Sequence, residues 1–131
     1  MEKLNKAYKF RLKPNQEQRN LIERTFGSAR FIYNRLLADS KAHYETTGKS
    51  KIFTPAMYKK EFPWLKEVDS LALSNAQMNM KKAFTNFFQK RAQFPKFKSK
   101  KHPKRSYSTN SVNNSIRIEG NKVKLPKLGL V

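Results

Sequence analysis

Metal-assisted cutting of a phosphodiester needs carboxylates gathered in one site. In this 131-residue chain the acids are spread out: Glu2, Glu17, Glu23, Asp39, Glu45, Glu61, Glu67, Asp69 and Glu119. Eight of the nine precede Ser70, scattered through helical patterns, and Glu119 stands alone in a turn-rich segment. Charged side chains so placed read as caps and solvated faces. His43 and His102 are isolated, without the i, i+4 or Cys-paired spacing of a zinc site. The chain has no Cys, which excludes a disulfide scaffold, a thiolate nucleophile and a Cys-based zinc site. Four Gly leave no phosphate-cradling loop, and no Ser sits in a nucleophile elbow. The sequence therefore predicts no catalytic residue, no metal ligand set and no cofactor in this chain.

Binding chemistry is better supplied. Lys and Arg number 29 against 9 acids, for a net charge of +20. Residues 1–69 hold 15 basic and 8 acidic groups, +7; residues 70–131 hold 14 and 1, +13. A folded chain so charged calls for a polyanion, which in a cytoplasm usually means nucleic acid. Three constellations suit it. Lys9, Arg11 and Lys13 alternate with Tyr8, Phe10 and Leu12, one cationic and one apolar face; the competing reading is a solvated face. Arg30, Asn34 and Lys41 align at i, i+4 and i+11 of a helix, to read base edges or contact backbone. Phe94, Lys96, Phe97 and Lys98, running into Lys100, Lys101 and Arg105, alternate stacking planes with phosphate partners. The bland alternative is that Phe94 and Phe97 anchor the loop to the core. Lys81 on a long helix, and Arg117, Lys122 and Lys124 on one face of a hairpin, complete the cationic set. Membrane binding is disfavoured: no run approaches eighteen apolar residues, and no helix near 94–98 has one wholly cationic face.

These side chains need elements to hold them. Period two over 6–13 predicts a strand, stopped by Pro14. Asn15 caps a helix to Gly27, Ser28 recaps a second helix to about Glu45, and Gly48 ends it. Thr54-Pro55 opens a short helix that Pro63 interrupts. Trp64, Leu65 and Val68 form an apolar knot. Asp69 or Ser70 caps the longest helix, about 70–92, whose buried stripe runs from Leu73 through Ala76, Met80, Ala83, Phe84 and Phe87 to Phe88. Ile116 and Ile118 face Val123 and Leu125 across Gly120-Asn121 in a hairpin. A lone strand is unstable, so 6–13 is expected to pair with that hairpin. The fold class is α+β, helices inserted between strands of one small antiparallel sheet. The chain stops at an apolar, strand-like Lys127–Val131, and is expected to be truncated there.

Phe10-Arg11-Leu12-Lys13-Pro14 with Gln18, and Thr25-Phe26-Gly27-Ser28-Ala29-Arg30-Phe31-Ile32-Tyr33-Asn34, resemble the start of the OrfB/TnpB proteins of bacterial insertion sequences. The resemblance continues through Phe62–Val68, Ala83–Phe88, Phe94–Lys98, Ile116–Ile118 and Lys124–Gly129. It implies a transposon-encoded RNA-guided DNA endonuclease, with partners guide RNA and double-stranded target DNA. It implies an incomplete wedge β-barrel, 1–13 and 104–131, around a helical recognition lobe, 14–103. Phe53, Ser70 and Ser74 would then lie near the target duplex. The family's nuclease domain, with its acidic triad, and its Cys-containing zinc ribbon fall outside these residues, so no cutting is expected of them. The alternative is a free-standing helix-turn-helix DNA-binding regulator using 15–26 and 29–45, although a turn at Gly27-Ser28 is short for that motif.

Overall fold

The computed structural model describes residues 6–49, 51, 53–99, 106–111 and 115–131. The chain is α+β: two helices and a three-stranded antiparallel sheet. Helix α1, Gln16–Thr47, opens on a capping box. The Asn15 side chain accepts from the Gln18 N–H at 2.9 Å, and Gln18 returns a bond to the Asn15 N–H. That satisfies two backbone donors that a helix start leaves open. Gly48 ends the helix in the left-handed region at φ 71°, as expected of a C-terminal glycine.

The expected break at Gly27-Ser28 does not form, and α1 is continuous. A mid-helix glycine costs about 1 kcal/mol, but the buried face runs straight through it: Thr25, Ser28, Ile32, Leu36. Ser28 is only 4 % exposed and so points inward rather than capping a new helix. The two-helix regulator built on 15–26 and 29–45 therefore lacks its turn.

Two 3-10 turns, Pro55–Tyr58 and Pro63–Glu67, return the chain along the helix. Helix α2, Ser70–Phe88, is capped by Asp69, whose carboxylate accepts from the Leu71 N–H at 3.0 Å. It is shorter than expected and is not the longest helix. Arg24 meets Glu67 near the start of α1, and Tyr44 meets Phe88 at the far ends. The two helices thus run in the same general sense. Ile32, Leu36, Leu37, Leu65, Val68 and Leu73 are fully buried between them. The 64–68 knot docks as expected, but Trp64 itself stays 42 % exposed.

The hairpin forms in the expected register: β1, Arg117–Glu119, pairs with β2, Lys122–Leu125, with Ile118 opposite Val123. Gly120 has φ 61° and Asn121 does not share the positive φ, the pattern of a type II′ turn. Ile116 falls outside the ladder. The apolar end supplies β3, Gly129–Leu130, on the other edge of β2. The strand expected over 6–13 is absent: Lys6–Lys13 joins no sheet, Tyr8 is 73 % exposed and Phe10 50 %. Alternation supplies two faces but no hydrogen-bonding edge, and β1 pairs only with β2 among the described residues.

Candidate nucleic-acid interface

Four of the described acids are structural. Asp39 accepts from the Tyr58 hydroxyl and pairs with Arg35 at 3.5 Å. Glu67 pairs with Arg24 at 3.2 Å, Arg117 with Glu119 at 3.5 Å, and buried Asp69 accepts from Leu71 and from the Thr109 hydroxyl. Among the described residues no three of His, Asp and Glu converge where a metal could sit.

The helices instead use neutral amides to hold irregular segments. Asn34 clamps Lys98 at two points: its Nδ2 donates to the Lys98 carbonyl at 3.0 Å and its Oδ1 accepts from the Lys98 N–H at 2.7 Å. Asn75 Nδ2 donates to the Ser108 carbonyl at 3.1 Å and to Asn110 Oδ1 at 2.8 Å. Gln77 Nε2 donates to the Phe53 carbonyl at 2.9 Å, and Gln18 Nε2 to the Leu130 carbonyl at 2.6 Å. An amide offers both donor and acceptor, so it can replace the ladder partner an extended segment lacks. Four irregular or strand-end stretches are thereby fixed against one helix pair.

The cations follow. Lys98 Nζ lies 4.6 Å from the centroid of the Tyr33 ring, and Lys41 Nζ 5.5 Å from that of Phe94. Their ammonium groups are steadied by ring faces. Arg30 and Asn34 share an open groove of about 480 Å³ with Arg24, Trp64 and Glu67. Asn34 spends its amide on Lys98 rather than facing outward, while Arg30 is half-buried along the groove. Phe94 is half-buried between Phe84 and Phe87, at 5.5 and 5.1 Å, so it anchors the loop; Phe97 is exposed. On the sheet, Arg117 faces Lys124 and Glu119 faces Lys122, so three cations and one acid share one face. Ser70 is exposed at the start of α2, and Ser74 and Phe53 are half-buried near Gln77. Lys9, Arg11, Lys13, Lys81 and Lys96 are exposed. Lys100, Lys101 and Arg105 lie outside the described residues, as does His102.

Sequence reading missed Gln18, Asn75 and Gln77 as tethers. It also placed Phe88 in the core, where the structure exposes it. Asn75 and Gln77 do lie off the apolar stripe of α2, which was the available signal.

One helix pair thus presents cation-bearing segments that carry almost no acids of their own, a nucleic-acid-binding class of surface. Residues 1–49 match a family profile described as a helix-turn-helix domain of the OrfB/IS605 group. A protein of Streptomyces pristinaespiralis that carries the name of an RNA-guided DNA endonuclease is 34 % identical over 113 residues, 81 % of this chain and 28 % of that protein. InsQ of Escherichia coli K12, named likewise, is 32 % identical over 130 residues, 94 % of this chain and 32 % of InsQ. Virulence protein VsdF of Salmonella dublin is 34 % identical over 111 residues, 72 % of this chain and 93 % of VsdF. The chain belongs to the OrfB/TnpB family and matches its N-terminal region. It spans less than a third of the two endonuclease-named relatives.

Proposed function

We propose that this chain is the nucleic-acid-binding portion of a TnpB-type protein, holding a guide RNA scaffold and the duplex that the guide targets. The observation that carries the reading is the set of amide-tethered segments bearing Lys96, Lys98, Lys122 and Lys124 on one helix pair, while Asp39, Glu67, Asp69 and Glu119 serve as caps and ion-pair partners. In this reading 1–13 and 104–131 contribute to a wedge barrel, and 14–103 form the recognition lobe between them. Lys9, Arg11, Lys13, Arg117, Lys122 and Lys124 contact RNA phosphates. Ser70 and Ser74, on the first turns of α2, and Phe53, whose carbonyl accepts from Gln77, face the target duplex. These residues bind and do not cut, so DNA incubated with the chain, Mg²⁺ and guide RNA stays intact.

The test is binding to structured RNA transcribed from the chain's own locus. Affinity is expected to fall steeply and linearly with the logarithm of salt, as phosphate contacts require. The locus RNA is expected to outcompete an unrelated hairpin of equal length. Equal affinity for the two would overturn the reading.

A further inference from the structure

The C-terminal ends of α1 and α2 carry a cluster of rings at the edge of the core, of which Tyr44 and Phe88 stand outside it. Tyr44 and Phe88 lie 5.7 Å apart between centroids, Phe88 is 5.4 Å from Phe87 and 6.1 Å from Phe84, and Phe94 packs beneath. With Lys41 and Glu45 they line a hollow of about 320 Å³. Tyr44 is 46 % and Phe88 52 % exposed. Lys41 sits one helical turn before Tyr44, and Lys81 one turn before Phe84, so each helix sets a cation beside its aromatic face. Lys90 and Arg91 follow Phe88 after Gln89 and are exposed.

We infer that this cluster is a stacking platform for unpaired nucleobases, with Tyr44 and Phe88 as the contact faces. The inference rests on the nucleic-acid reading above and names which form of nucleic acid this surface takes. Exposed apolar patches mark binding sites, and the chemistry here selects the occupant. A single strand offers π-faces and phosphates side by side, matching rings flanked by ammonium groups. A duplex keeps its bases stacked on one another and would meet only the cations. An apolar protein partner would gain nothing from four cations against the single acid Glu45.

The experiment compares binding of the full 131-residue chain to three labelled strands of equal length: a single strand, the same backbone without bases, and a duplex. The chain is expected to bind the base-bearing strand about ten-fold or more tighter than the abasic one, the fold-change one stacked base supplies. Tyr44→Leu with Phe88→Leu keeps apolar bulk and removes both exposed rings. It is expected to erase that preference while leaving abasic affinity, salt slope and the helical circular dichroism unchanged; Phe88→Tyr retains the preference. A double variant that keeps the preference overturns the inference. So does one that loses abasic binding equally, or a wild-type chain whose cluster is covered in a dimer that the double variant dissolves. A wild-type chain that binds base-bearing and abasic strands equally sinks the platform alone. Absence of binding to any strand sinks the nucleic-acid reading with it.

Discussion

Tyr58 is buried and its hydroxyl donates a hydrogen bond to Asp39, while Arg35 pairs with the same carboxylate and stacks 5.9 Å from the Tyr58 ring centroid. Burial, then the hydrogen bond to Asp39 and its negative charge, push the Tyr58 hydroxyl well above the ordinary tyrosine value. Burial also raises Tyr33, and burial with the charge of Asp69 raises Tyr107. In the unfolded chain these tyrosines ionise first, near pH 10. Their contribution to stability is therefore intact below about pH 10 and is lost as pH rises toward the folded values. Tyr58→Phe is expected to flatten the fall in urea midpoint between about pH 9 and 11, measured against the wild-type chain. At this scale the sequence reveals less than it offers. The spacing of Arg30, Asn34 and Lys41 says that they share a face, and they do. It cannot say that Lys98, 64 residues further on, occupies the Asn34 amide. Side-chain chemistry is local, while its partner is chosen by the fold.

Helix α2 ends in a two-bond cap, Lys90 N–H to Phe87 O at 3.0 Å and Arg91 N–H to Asn86 O at 2.8 Å. Such a cap calls for glycine, yet Lys90 takes it at φ 59°. A residue with a Cβ in that region costs roughly 1 kcal/mol or more, so the ammonium group is kept at a backbone cost. Lys90→Gly is expected to raise stability by up to about 1 kcal/mol. It is also expected to lower the slope of log affinity against log salt by about one phosphate contact. Melting curves and salt titrations check the two halves separately. Elements announced by special residues were legible: the Asn15 and Asp69 caps, the Gly48 stop, the Gly120-Asn121 turn. Those inferred from a break or an alternation were not. Gly27 does not stop a helix whose buried stripe continues, and the 6–13 alternation needs an edge to pair with. Phe88 fits the stripe of α2 by spacing, but the stripe leaves the core before the helix ends.

Among the described residues there is one core cluster, between the helices, while the sheet buries only Val123, with Leu128 buried in the turn before β3. Gln18 reaching Leu130 joins the sheet to the start of α1. Opening of the sheet should therefore cost less than opening of the helices. Amide hydrogens of β1 and β2 are expected to exchange faster than those of Ile32, Leu36 and Leu73. Gln18→Ala is expected to speed the sheet amides further and leave the helical ones unchanged, as read residue by residue by hydrogen exchange. The division of charge, +7 before Ser70 and +13 from it on, was legible from counting alone. The means of displaying that charge was not, because Gln18, Asn34, Asn75 and Gln77 each act on a segment at least 24 residues away. All four grips are neutral amides on neutral backbone or, at Asn110, a neutral side-chain amide. Electrolyte screens the attraction between cations and phosphates, but it has no charge to screen in these grips. Under the proposed function, raising salt is thus expected to strip nucleic acid from a mould that keeps its shape, and the emptied surface to be refilled without refolding.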